Sequence, residues 1–413
     1  MSILKLISLR DEDLEARGIK YTLREIMRQP KLWIESFNLL KGRLNEIRDF
    51  IENRVLSKKN SRVILSGAGS SHFIGLCCED LLRRMWNIDV ESKACTEIVT
   101  SFDSFFLNRL NTTMIYFSRS GESPEILGTF LLSDKILRRI NHIIVTCNKH
   151  GRLASLKSRS EGKGKNNVLR IILPEDANDK GLAMTSSFTT MLMVAQFLAY
   201  LWELEEYERT IYSASAAAEK MLKEYSSLIE EIAELNFKRA FFLGTGPLYG
   251  CAAESHLKLQ ELTAGRVICK FDSYLGVRHG PEVTIDDETI VVYFVSSNPF
   301  VRRYETDLME DLHGKGLGLK RIAVCCGADE YIERYTSYII DIDSGFPDYC
   351  RPIVDVIFGQ LLGLFKSLNM GLKPDRPSEK DIITRVVRGV KIYGYHTYKN
   401  LKQFKVIINP ENI

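Results

Sequence analysis

Glu254, Lys258 and Glu261 stand four and three residues apart in ESHLKLQELTAG (254–265), a spacing that puts all three on one face of a helix. A cation beside two carboxylates can tune a general base, although the same spacing also suits a solvated salt-bridge face. Shortly after comes FDSYLGVRHGPE (271–282), where Arg278, His279, Gly280 and Pro281 fall in a loop ahead of the apolar run TIVVYFV. A loop histidine can move protons near neutral pH. In the front half, SRSGESPE (118–125) follows an apolar run and leads into helical spacing. Its hydroxyls, Arg119 and the backbone N–H groups of a helix start suit a dianionic phosphate, and GAGSS (67–71) would lie beside it. Read alone, each is equally a tight turn with serine caps.

These segments need a scaffold that brings strand ends and helix starts together. RVILSGAGSS (62–71) reads as a strand and glycine turn, HFIGLCCEDLLRRM (72–85) as a helix, TMIYFS and HIIVTC as further strands, and RIILP as another. Such alternation implies a parallel sheet covered by helices, an α/β class. The order then repeats. RAFFLGTGPLYG falls on RVILSGAGSSHF and TIVVYFVSS on TTMIYFSRS at one offset of 177, superimposing Gly67 on Gly244, Gly69 on Gly246 and Ser120 on Ser297. Two separated agreements at one offset mean two tandem copies of one unit. The rear copy has changed: its turns are GTGPLYG and VSSNP, and Pro247 lacks an N–H, so the front copy is expected to bind the anion.

The expected organisation is a helical segment over 1–45, a first unit over 46–210, a second over 211–385 and a tail from 386. Residues 11–58 read as two helices, with Thr22 an N-cap in a capping box with Glu25, and 185–207 as one long helix.

The 413 residues favour two domains, and 45% hydrophobic with 26% charged residues is ordinary globular composition. A formal net charge of +3 gives no reason to expect nucleic acid or an anionic membrane as partner. The start of the chain lacks a long apolar signal segment, and nine dispersed cysteines without C-x-x-C read as free thiols, so a cytoplasmic protein is expected. The seven histidines form no H-x-x-x-H pair, and neither metal nor cofactor is expected. G-A-G-S-S-H and G-T-G-P-L-Y fail the third glycine of G-x-G-x-x-G, and no P-loop occurs, which argues against a nucleotide enzyme.

Taken together, SGAGSS, SRSGESPE, AMTSSFT, GTGPLYG, ESHLKLQELTAG, DSYLGVRHGP and TRVVRGV resemble the sugar isomerase (SIS) family over most of residues 40–395. The likeness is closest to its double-SIS tagatose-6-phosphate ketose/aldose isomerase group, also described as galactosamine-6-phosphate deaminase/isomerases. The same arrangement resembles the isomerase half of glucosamine-6-phosphate synthase. The resemblance implies two three-layer αβα domains and a sugar 6-phosphate substrate held by Ser118, Ser120 and Ser123 with Ser71. It implies that Glu261 moves the proton between C1 and C2, that Lys258 supports it, and that His279, supplied by a neighbouring subunit, opens the ring; a homodimer or larger homo-oligomer follows. Arg119, Ser186, Glu254 and Arg385 complete the expected substrate-binding set. Where the synthase has a Schiff-base lysine, this chain offers Arg385, or Lys380 if the loop differs, and an arginine cannot form that imine. The implied activity is conversion of galactosamine 6-phosphate to tagatose 6-phosphate and ammonia. The alternatives are plain aldose/ketose isomerisation and a non-catalytic sugar-phosphate sensor.

Overall fold

A computed structural model describes residues 3–105, 110–161, 167–342, 345–378, 380–387, 389–394 and 406–408. Much of the expected tail, 395–405 and 409–413, lies outside the described residues.

Two five-stranded parallel sheets carry the two halves. The first holds β1 (Ser61–Gly67), β2 (Asp89–Ala94), β3 (Asn111–Ser118), β4 (Ile140–Thr146) and β5 (Val168–Ile172) in the order 2-1-3-4-5. The second holds β6 (Arg239–Leu243), β7 (Ile268–Asp272), β8 (Thr289–Phe294), β9 (Lys320–Cys325) and β10 (Tyr338–Asp341) in the order 10-9-8-6-7. Counted from its own first strand, the second sheet repeats the 2-1-3-4-5 order, as the 177-residue offset implied. The central strands are covered on both faces and are accordingly almost continuously apolar: seven of the eight residues of β3 and all six of β8 are buried.

The two halves meet through the first helix of each. Ser70–Trp86 follows β1, Pro247–Leu262 follows β6, and they pack against each other; a Cβ at Gly250 would lie 2.6 Å from the Cys77 backbone nitrogen, so only glycine permits this approach. The helices Ser186–Ala199 and Pro352–Asn369 are apolar nearly all round, and both lie within the core cluster shared by the two halves.

The amino-terminal segment forms four α-helices before residue 52 (Asp11–Arg17, Lys20–Met27, Gln29–Lys41 and Leu44–Ile51), after a short turn of helix at Ile3–Ile7, where two were expected. Thr22 does not cap a helix; it lies inside Lys20–Met27, and its hydroxyl donates to Asp375 at 2.8 Å. Glu25 accepts the N–H groups of Lys180 and Gly181. Tertiary contacts claimed both side chains that looked like a local capping box. The expected helix over 185–207 is two, broken between Ala199 and Leu204. Gln29 donates to Gln360 at 2.7 Å and Trp33 to Thr189 at 3.0 Å, tying the amino-terminal helices to both halves. All nine cysteines are free, seven of them buried. No helix among the described residues is long and apolar enough to cross a membrane.

Candidate active site

In a 2-1-3-4-5 sheet the connections from β1 and β3 leave in opposite directions, which opens a crevice at their carboxyl ends. A cavity of about 190 Å³ lies there. Ala68 to Ser71 form one wall, Ser118 to Ser120 with Ser123 the second, and Leu257 with Glu261 from the rear half the third. Leu182 and Met184 close it from the loop before the Ser186 helix, and Ile383 to Arg385 from the carboxyl-terminal segment.

One side of the cavity is built by two helix starts. Gly69, at φ +56, turns the chain from β1 into the Ser70 helix, a backbone conformation that favours glycine. The 13-residue helix Pro124–Ile136 begins just after Ser123, whose side chain makes no capping bond. The Ser118 hydroxyl accepts the Gly121 N–H at 3.0 Å and the Ser120 hydroxyl that of Glu122 at 3.2 Å. A hydroxyl that accepts from the backbone still has its own hydrogen to donate, so both serines keep a donor for an incoming anion. The partial positive charge of the helix starts adds to this.

The facing side of the cavity lies on the Pro247 helix. Lys258 is fully buried; its ammonium donates to Glu261 at 2.7 Å and to the Ser70 hydroxyl at 3.0 Å, and it forms an ion pair with Glu254 at 3.2 Å. Burial alone would lower the Lys258 pKa, but the two carboxylates outweigh it and the pKa is raised. Glu254 sits beneath, also fully buried; burial, with repulsion from Glu261, pushes it up to about 8 despite the pull of Lys258. Near neutral pH Glu254 therefore holds its proton, and the Lys258 charge is left to Glu261, the one carboxylate of the three groups that reaches the cavity.

A carboxyl whose pKa is higher in the folded than the unfolded chain costs stability as pH rises between the two values. Relative to Glu254→Gln, the wild type should therefore lose stability between about pH 4.5 and about pH 8. Urea midpoints of the two proteins at pH 5 and pH 8 check this; a constant difference would reject it.

Other expected residues are placed differently. Ser71 lines the cavity with its hydroxyl 3.8 Å from the Met184 sulfur. Ser186 does not reach it: its hydroxyl donates to the buried Asp179, which also accepts from Ser187 and the Thr185 N–H. Arg119 borders the cavity, but its guanidinium donates to the carbonyls of Gly181 (3.3 Å), Leu182 (3.0 Å) and Arg385 (2.5 Å). Arg385 in turn donates to the Asp179 carbonyl at 2.7 Å and the Asn178 side chain at 2.5 Å. The two arginines stitch the carboxyl-terminal segment across the cavity mouth. Lys380 is exposed and does not line the cavity. His279 is exposed after a short 3-10 turn (Gly276–Arg278) and does not line the cavity of its own chain.

Ser70 was missed. It sits in the motif that was read, but which of two adjacent serines faces the neighbouring helix depends on the helix pair. The apolar wall of Leu182, Met184 and Leu257 left no local signal, being drawn from distant segments.

A lysine at position 119 would keep the charge but not the fork that spans three carbonyls. Charged hydrogen bonds are worth about 1.5–3 kcal/mol each. Arg119→Lys should raise KM for the sugar phosphate about tenfold or more with a smaller change in kcat, and should speed proteolysis within 380–387. Steady-state kinetics and limited digestion check both.

No family model matches the chain. The D-galactosamine-6-phosphate deaminase AgaS of Escherichia coli O157:H7 is 33% identical over 376 residues, covering 91% of this chain and 96% of that one. The chain belongs to the D-galactosamine-6-phosphate deaminase family. Solved structures share the fold of this chain. A Clostridium novyi protein provisionally described as a tagatose-6-phosphate ketose/aldose isomerase superimposes with a TM-score of 0.88 at 35% identity, covering 93% of this chain and 98% of that one. The tagatose-6-phosphate ketose/aldose isomerase of Escherichia coli does so with 0.80 at 30%, covering 92% and 97%. The two halves of this chain are thus tandem SIS domains.

Proposed function

We propose that the chain converts D-galactosamine 6-phosphate and water into D-tagatose 6-phosphate and ammonia. The observation that carries this reading is the single cavity shared by the serine loop of the front half and Glu261 of the rear half. The phosphate, bound by Ser118, Ser120, Ser123 and Ser71, supplies binding energy remote from the reaction and positions C1 and C2. With the sugar ring open, Glu261 takes the C2 proton, leaving an enolamine, and returns it to C1. The resulting C2 imine adds water and releases ammonia. Lys258 holds Glu261 in place and balances its charge. Arg385 carries a guanidinium rather than an amine and cannot form an imine with the ketose, which fits release of free ammonia.

Ring opening needs a group that moves protons at O1 and O5, and His279 is assigned that role from a second copy of the chain. Its exposure, and the exposed Leu275 and Val283 beside it, support a homodimer that buries this loop. Glu261→Gln and His279→Ala proteins should each be inactive alone. After mixing and subunit exchange they should regain roughly a quarter of wild-type activity, because half the dimers are mixed and each has one intact site. No recovery despite demonstrated exchange would reject a shared site. Free thiols and a phosphorylated substrate fit the cytoplasm.

Plain aldose/ketose isomerisation uses the same proton transfer. Incubation with galactosamine 6-phosphate and an ammonia assay distinguishes the two: ammonia formed in step with ketose supports deamination, and isomerisation of the unsubstituted hexose phosphate alone rejects it.

A further inference from the structure

The rear sheet repeats the strand order of the front one, so it has its own crevice where β6 and β8 part. A cavity of about 280 Å³ lies there, lined by the turn Thr245–Pro247 after β6 and the turn Ser296–Asn298 after β8. These turns correspond to the glycine turn and serine loop of the front half. They already hold an anion. The Asp348 carboxylate accepts the Ser296 hydroxyl, the Ser297 N–H at 3.0 Å and the Ser297 hydroxyl at 2.5 Å, and Arg351 donates to it at 3.1 Å. Two hydroxyls, a backbone N–H and a guanidinium are the donors that a phosphate dianion would take. Burial works against the charge of Asp348, yet these donors keep its carboxyl below its usual range, so it remains an anion in place.

The front half differs at the corresponding point. Its segment entering the Ser186 helix presents Leu182 and Met184 to the cavity, and among the described residues no carboxylate accepts a hydrogen bond from the Ser118 or Ser120 hydroxyl, which instead accept from backbone N–H groups. The proton-moving side also differs. At the 177-residue offset, Glu261 corresponds to Arg84, Lys258 to Leu81 and Glu254 to Cys77. Arg84 lies over the Tyr349 ring, 5.7 Å from its centre, beside the rear crevice.

We propose that the rear crevice is a phosphate-class anion site whose donors are taken by the chain's own Asp348, and that freeing them would create a second site without catalytic power. Each chain accordingly takes one sugar phosphate, at the front crevice alone. The test uses the full chain with inorganic phosphate as probe. Calorimetric titration should give one phosphate per wild-type chain and two per chain of Asp348→Ser. A crystal of the variant soaked in phosphate should show the second ion against Ser296 and Ser297, with turnover of the sugar phosphate unchanged. A folded Asp348→Ser protein that still binds one equivalent overturns the proposal. Should that variant fail to fold, wild-type crystals soaked in phosphate decide: density at the front loop only supports the proposal, and phosphate in the rear crevice with Asp348 in place refutes it.

Discussion

Glu261→Gln should lower turnover of D-galactosamine 6-phosphate by about 10²–10⁴-fold, the range ascribed to a positioned general base. The amide keeps the shape of the side chain but cannot take up the C2 proton. Binding should survive, because the proposed phosphate contacts lie on the serine loop, on the far wall of the cavity. Dissociation constants within about threefold of wild type, alongside the lost turnover, are the expected pair of results. Solvent deuterium gives a further readout: the wild type should exchange the C2 hydrogen and the variant should not. Retained exchange would move the proton transfer to another residue.

Lys258→Met should be the most destabilising single change in the site. The ammonium is fully buried with two carboxylates and the Ser70 hydroxyl around it, and removal of one partner from a buried ion pair typically costs about 3–5 kcal/mol. The loss should grow as pH rises through about 8, because the wild-type Glu254 carboxyl then ionises beside its cation, whereas in the variant, without the pull of Lys258, burial keeps it protonated to higher pH. Combining Lys258→Met with Glu254→Gln should recover part of the loss, since the second change removes the stranded carboxyl. Urea unfolding of the two single variants and the double variant measures the coupling. A double variant that simply adds the two losses would show that Lys258 and Glu254 do not share charge.

The signals that read correctly were those carried by local pattern. The glycine turns, the serine loop and the 254–258–261 spacing are properties of short segments, and the 177-residue offset relates segments that fold alike because they are alike. Thr22 and Glu25 show where local reading failed. Their spacing matches a capping box, yet both reach partners more than 150 residues away, because Asp375 and the 180–181 backbone offered bonds that the helix start did not. Ser186, expected among the substrate-binding residues, instead donates its hydroxyl to the buried Asp179.

The sequence by itself determined that two α/β units follow one another, that the front one carries hydroxyls and helix starts for an anion, and that the rear one carries a carboxylate pair around a lysine. Strand and helix periodicity, glycine turns and side-chain type are written residue by residue, so they survive without knowledge of neighbours. Tertiary structure alone decided that Glu261 faces the serine loop across one cavity, that Glu254 stays behind it with its proton, that Arg119 fastens the carboxyl-terminal segment rather than waiting free, and that Asp348 takes the donors of the rear serine turn. Each of these depends on which distant groups share a space closed to water. Burial and proximity, which set both protonation and hydrogen-bond choice, exist only after the chain has packed.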